Sequence, residues 1–387
     1  MDPVGHPPTV PGDGVVTEQR GRGVMFAVGL GMTNVGFYVA SIGVVLVVLA
    51  GDLGLPVENL AWFGSTFGYG LLLAAFAGPF LLRLGPRAVL ALAAVLLGAG
   101  SLALALSSVP VVAYAGAALQ GLGAAGIILV APGLLHGPGA EGKLTAVNAA
   151  ASVAGVCAPL LLGAATSLGL GGRLPLVLIS VSMAVLAVAA LRMVPEPADV
   201  VTADAREPLV RSLAVRRWLA LVLSVSVEFS FVVWGVARLA ATGLDAGGAA
   251  LVGAAFPIGM ALGRIAGPAL IARFPMIPVG SALAGAGSLL VVLSQVWPLV
   301  GLGQLLAGFG IATFYPITLA RLMSTPGLRP ELGASLGALA SGTAITVVPT
   351  LLAVLAGLTD LRLAFLVALP LLGALLWLHH ERRSGAR

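Results

Sequence analysis

Two ionisable residues stand apart from the other charges in this chain. Fourteen of the fifteen acidic residues fall in tails, turns or helix ends; the fifteenth, Glu228, lies inside the apolar stretch SVSVEFSFVVWGVAR (224–238). Among the twenty basic residues, Arg264 lies within an apolar run that includes MALGR (260–264). A charge in such surroundings costs at least ~2.5–3.5 kcal/mol on membrane-insertion scales and ordinarily faces a cavity or a partner. Counting along helices suggests the partner. Glu228 follows Arg217 by eleven residues, and Arg264 precedes Arg273 by nine. At 1.5 Å per residue these are depths of about 16 and 13 Å. Antiparallel neighbouring helices would bring the two charges to similar depth. One reading makes Glu228 a proton-coupling or substrate-sensing group with Arg264 as its ion-pair partner. The other is a fixed structural pair, with Arg264 tying helix ends together.

Other chemistries find little support. The four histidines, His6, His136, His379 and His380, fall in the tail, a loop and the terminus, with no His–carboxylate cluster in an apolar segment. No metal site, cofactor or enzymatic activity is expected. The phosphate-loop pattern G-x-x-x-x-G-K-[ST] does not occur, which disfavours a primary pump. Cys157 is the single cysteine, so no internal disulfide can form; it reads as buried and inert.

The elements that must position Glu228 and Arg264 follow from composition. Hydrophobic residues make up 59% of the 387, charged residues only 9%, and mean hydropathy is +1.08. A soluble domain needs about a quarter of its residues charged. This chain cannot cover itself with polar groups, so the bilayer is its solvent. A helix needs about 20 apolar residues to cross the hydrocarbon. Charges and turn signals divide the sequence into twelve such segments, near 24–50, 58–82, 87–107, 109–135, 144–167, 173–193, 217–241, 247–272, 278–296, 298–323, 332–357 and 360–380. Tight hairpins marked by proline join some of them, at SSVP (107–110) and SQVWP (294–298).

Residues 1–22 read as a flexible tail rather than a signal peptide, 23–193 as a first six-helix bundle, 194–216 as a linker, 217–380 as a second bundle and 381–387 as a tail. Placing both termini in the cytoplasm puts sixteen Lys and Arg on that side and three (Arg173, Arg238, Arg362) outside. That bias agrees with the positive-inside rule. The net charge of +5 therefore sets orientation and does not imply nucleic acid.

The halves repeat. At an offset of 189, Phe67, Gly70, Gly78, Pro79, Gly98 and Arg173 fall on Phe256, Gly259, Gly267, Pro268, Gly287 and Arg362. At 187, Gly116, Gly121 and Gly123 fall on Gly303, Gly308 and Gly310; at 190, Pro159 falls on Pro349. An even number of spans per half gives a parallel repeat about an axis along the membrane normal, a geometry suited to alternating access.

At this point the chain resembles the major facilitator superfamily over nearly its whole length. The family's loop between spans two and three, G-x-L-a-D-R-x-G-R-R, reads here GPFLLRLGPR (78–87), with Gly78, Arg83, Gly85 and Arg87 matching and Leu82 at the acidic position. The second-half copy, GRIAGPALIARF (263–274), keeps Gly267 and Arg273. LQGLGAAG (119–126) is similar to the R-x-x-Q-G-x-G element in Gln120 and Gly121, with Ala117 where the arginine would stand. AGVCAPLLLG (154–163) resembles the exporter branch's proline–glycine element in Pro159 and Gly163; the plainer reading of Pro159 and Pro349 is a helix kink.

The resemblance implies an all-α integral membrane fold of twelve transmembrane helices in two pseudo-symmetric six-helix bundles. It also implies that spans one, four, seven and ten line a central cavity. Asn34, Tyr38, Gln120, Glu228, Trp234 and Tyr315 are then the cavity candidates, with interhelical hydrogen bonding as the alternative for the lone polar groups. The implied function is secondary active transport of a small organic solute across the cell membrane by a monomer, proton-coupled efflux being the first reading. An uptake permease or uniporter of the same fold is the alternative, and a non-transporting membrane sensor or scaffold is the reading from another class.

Overall fold

The computed structural model describes residues 13–60, 62–135, 140–193 and 208–380. Every regular element among them is helical. The first six helices are α1 (Asp13–Leu53), α2 (Phe63–Leu82), α3 (Pro86–Leu106), α4 (Pro110–Leu134), α5 (Ala140–Ser167) and α6 (Leu174–Arg192). They are followed by α7 (Arg211–Ala240), α8 (Ala246–Gly253), α9 (Ala255–Ile271), α10 (Met276–Leu293), α11 (Trp297–Ile311) and α12 (Phe314–Met323). The last are α13 (Pro330–Leu358), α14 (Leu361–Ala364) and α15 (Ala368–His380). Among the described residues, eleven continuous or nearly continuous helices are long and apolar enough to cross a membrane. α2 adds a twelfth crossing; its 20 residues reach about 30 Å and are uncharged throughout.

Two crossings are locally irregular. The eighth loses one helical hydrogen bond at Ala254, between α8 and α9, and the tenth at Ala312–Thr313, between α11 and α12, because Pro257 and Pro316 have no N–H to donate four residues back, while the backbone keeps helical torsions at all three residues. The helix starts follow local chemistry. Pro86 and Pro110 occupy the first position of α3 and α4, where a missing N–H costs nothing. Gly85, at φ +82°, supplies the left-handed turn into α3. Asp245 and Asp360 cap α8 and α14, accepting from Gly248 N at 3.0 Å and Leu363 N at 2.7 Å.

The repeat seen in the sequence appears as matched close packing. A Cβ on Gly100 of α3 would lie 2.5 Å from Gly116 O of α4, and one on Gly116 2.9 Å from Gly100 O. Gly287 and Gly303 face each other in the same way between α10 and α11. Gly70 and Gly121 join α2 to α4 as Gly259 and Gly308 join α9 to α11. With no hydrophobic drive between helices in lipid, such close backbone approach supplies much of the association.

Contacts between the first six helices and the rest concentrate at the end of the molecule that holds Leu53, away from the end that holds Asp13 and His380. α1 meets α7 where Gly43 faces Val232 O and Val233 O. α2 meets α13 at Gly68 against Thr346 and through a 2.5 Å hydrogen bond between Ser65 Oγ and Thr350 Oγ1. α5 meets α8 at Gly163, where a Cβ would lie 3.0 Å from Gly247 O. This end is therefore a closed seam. Towards the other end the helices part: on α5, Asn148, Ala149 and Ala150 are exposed in succession, more of the surface than one outward stripe would show.

Two expectations change here. Residues 13–22 continue α1 rather than forming part of a tail. α7 starts at Arg211, six residues before the expected boundary, because the charged turn 211–217 lies along the helix. Most of the expected linker, and residues 1–12 and 381–387, lie outside the described residues.

Candidate functional site

α5, α7 and α9 converge in the open groove. α7 carries Glu228, whose Oε1 lies 3.9 Å from Nη2 of Arg264 on α9. At that separation the charges attract without a formed hydrogen bond, which needs about 2.7–3.2 Å. The Glu228 side chain is 17% exposed and that of Arg264 43%, so both reach the groove and the arginine stands at its surface. Arg264 Nη1 donates to Ser152 Oγ on α5 at 3.1 Å. Ser152 in turn donates to Asn148 O at 3.0 Å. One guanidinium thus bridges an acid on its own side of the groove and a hydroxyl on the far side. Tyr315, at the start of α12, is about one-third exposed and lies within electrostatic reach of Glu228 and beside Ser341.

Four of the expected cavity residues do not reach the groove in this conformation. Asn34 is 8% exposed, and its amide donates to Leu30 O at 2.8 Å and to Ser182 Oγ of α6 at 2.9 Å. Gln120 is fully buried, donating to Ser101 Oγ of α3 at 2.5 Å. Trp234 is also fully buried and donates from Nε1 to Pro349 O of α13 at 3.1 Å. Tyr38 is buried against Phe67, their ring centroids 5.3 Å apart. The physical reason is common to the four: an amide or an aromatic ring on a helix packed on most sides finds its partner in the nearest neighbour.

The loop motifs serve helix ends. Arg87 donates to Met193 O at 2.8 Å, closing the C-terminus of α6 onto the start of α3. Arg83 lies over the Phe80 ring, 5.4 Å from its centroid. A Cβ on Gly78 would make ordinary contact with Leu129, at 3.9 Å, whereas one on Gly267 would press on Thr313 at 3.3 Å. Arg273 is exposed after α9. Pro159 and Pro349 lie inside α5 and α13.

Sequence reasoning missed two arginine clamps, one of them buried. Arg238, expected in an outer loop, is 1% exposed in the last turn of α7 and donates to Val291 O at 3.1 Å and to Ser294 O. Arg173 grips the C-terminus of α3, donating to Ser107 O at 2.6 Å and Leu104 O at 3.2 Å while pairing with Asp52 at 2.7 Å. Both satisfy carbonyls that a helix end leaves without partners. The repeat offered a signal, since α3 and α10 are equivalent helices ending alike in serine.

A twelve-crossing helical bundle with an acid, an arginine and a hydroxyl across an open groove, sealed at its other end, defines a membrane transporter fold. The Major Facilitator Superfamily model matches residues 24–275, and the chain belongs to that superfamily. No curated protein sequence matches it significantly. Its fold is similar to that of the nucleoside transporter NupG, at 13% identity and TM-score 0.70, covering 93% of this chain and 99% of that one. It is similar too to a bacterial homologue of the human lysosomal transporter Spinster, inward-facing and unoccupied, at 15% identity and TM-score 0.69, covering 93% and 95%. A peptide transporter POT in complex with sulfate matches at 14% identity and TM-score 0.71, covering 92% and 94%. At such identities the likeness shows the fold alone.

Proposed function

We propose that this chain is a proton-coupled secondary transporter that expels a small, partly apolar, neutral or weakly cationic organic solute from the cell. The observation that carries this reading is the Glu228–Arg264–Ser152 arrangement at the groove. A proton and Arg264 are alternative partners of one carboxylate. Protonation cancels the attraction of Glu228 for the guanidinium, which then holds only to Ser152 on the opposite wall. Deprotonation draws it back. A loose 3.9 Å pair exchanges partners more readily than a formed bidentate one. Exposed Thr145 and Asn148 of α5 and the part-exposed Tyr315 add polar groups without net charge, which suits a solute of low charge.

In this reading two six-helix units, 23–193 and 217–380, joined by 194–216, rock about the site as a monomer in the cell membrane, both termini in the cytoplasm. The groove described above then opens to the cytoplasm, where solute to be exported binds. The test is reconstitution into vesicles with an imposed pH gradient and a panel of labelled solutes, for the parent and Glu228→Gln. Gradient-driven accumulation by the parent, lost in the variant while gradient-free exchange survives, is the expected outcome. Equal driven accumulation by both removes Glu228 from coupling, and accumulation in the opposite sense makes the protein an uptake carrier.

A further inference from the structure

Asn148 lies on α5 one helical turn, about 6 Å, before Ser152 and on the same face of the helix. α5 runs from the open end at Ala140 to the closed seam at Gly163, so Asn148 stands between the Glu228–Arg264–Ser152 cluster and the mouth of the groove. It is exposed, and a polar side chain in a membrane segment is tolerated where it meets a water-filled cavity. Its orientation is set by its own helix. Nδ2 donates to Leu144 O at 2.9 Å. A backbone carbonyl can only accept, so the amide nitrogen must be the atom that faces it, and Oδ1 is turned away from the helix axis. Oδ1 accepts from no described residue. Asn148 therefore presents a carbonyl acceptor, held in a fixed orientation, to the groove.

The hydroxyl beside it is already committed. Ser152 gives its proton to Asn148 O and accepts from Arg264 Nη1. What remains for a solute here is acceptor capacity: Asn148 Oδ1 on α5 and, across the groove, the Glu228 oxygen that is not turned to Arg264. The repeat adds an independent observation. At the offset of 190 that matches Pro159 to Pro349, Asn148 falls on Ala338 of α13, which is also exposed. The equivalent helix of the other half thus does without the amide, whereas an acceptor on one wall alone gives a bound solute a preferred orientation.

We infer that Asn148 is a specificity-determining residue of the groove: its Oδ1 accepts a hydrogen bond from an N–H or O–H group of the solute, which is therefore an amide, urea, amine or alcohol and not an ether, ester or dialkylated amide. The inference rests on the transport function proposed above. Because the groove is open, water replaces a missing solute donor. The discrimination is then the net worth of one neutral hydrogen bond, about fivefold, far below the exclusion reached in a sealed site.

The full-length chain in vesicles with an imposed pH gradient is given labelled benzamide, phenylurea and benzyl alcohol, each beside its fully methylated form. Initial rates are taken above those of protein-free vesicles. The parent is expected to carry the unmethylated members with a KM about fivefold lower. Asn148→Leu, which removes the acceptor, is expected to raise their KM about fivefold, spare kcat and abolish the preference within each pair. Asn148→Asp keeps an acceptor oxygen but cannot donate to Leu144 O, and is expected to keep the preference. If both variants lose it alike, the bond to Leu144 O is what counts and Asn148 only supports its helix. Equal KM within every pair for the parent, or an unchanged preference in Asn148→Leu, overturns the assignment as well. So does a parent that carries no member of any pair, while the wider solute panel and Glu228→Gln decide the transport function separately.

Discussion

Replacing Gly43 by alanine puts a methyl group against the backbone of α7. The new carbon would meet Val233 O at 2.9 Å, with Val232 O closer still, and neither atom can turn aside as a side chain would. Overpacking of this kind costs about 1–3 kcal/mol. The cost falls on the closed seam and vanishes when α1 and α7 separate, so the closed-to-open ratio drops by about 5- to 150-fold. At about 1.4 kcal/mol, a seam closed 100 to 1 becomes closed about 10 to 1, a minor state large enough to see. The assay is double electron–electron resonance between spin labels at Leu168 and Ala241, both exposed at the seam end, in a Cys157→Ser background. The parent should give one short distance and Gly43→Ala a second, longer population. Gly29→Ala is the control, because its Cβ would meet Val147 Cγ1 at an ordinary 3.7 Å. An unchanged distribution in Gly43→Ala, matching that of Gly29→Ala, refutes the seam as the element that opens. A lowered unfolding temperature without the longer distance refutes it as well, since the closed packing would then have absorbed the methyl group.

Three further outcomes are expected. Gly100→Ala and Gly287→Ala should lower thermal stability alike, by about 1–3 kcal/mol each, because both methyl groups would press on a carbonyl of the paired helix; clearly unequal losses would mean that the two halves do not pack as repeats. Arg238→Met should destabilise by about 1.5–3 kcal/mol in a denaturant titration, and Arg238→Lys should restore little, since an ammonium cannot fork between Val291 O and Ser294 O. Ser152→Ala removes the acceptor across the groove, worth about 1 kcal/mol, and should widen the separation between labels at Ala146 and Ala272 while leaving the Leu168–Ala241 distance unchanged.

The depth of Glu228 and Arg264 was legible because only rise per residue and two flanking charges were needed. Twelve crossings and the repeat were legible for a similar reason: charges and proline cut the apolar background cleanly, and a fixed offset survives a biased composition. Which way a side chain points was not legible. A helix apolar on every face has no polar stripe to orient it, so Tyr38, Trp234 and Gln120 could be assigned to a cavity-lining helix without revealing that each turns to a neighbour. Ser152 belongs to a polar face formed with Thr145 and Asn148, but its contact with Arg264 depends on how close α5 comes to α9, a tertiary quantity. Arg238 misled for a related reason. A charge near the end of an apolar run looks like a loop residue until the carbonyls awaiting it at the end of α10 are in view.

The irregularity at Ala254 falls between two tasks of one crossing. α8 is held to α5 where a Cβ on Gly163 would meet Gly247 O at 3.0 Å, while α9 carries Arg264 about fifteen ångströms further along, ten residues past Ala254. The backbone keeps helical torsions at Ala254, and Ile258 N still donates to Ala254 O at 3.0 Å, so mooring and charge ride on one connected rod. A tug on the guanidinium is therefore felt at the α5 contact, which ties the ionic event mechanically to the parting of the seam.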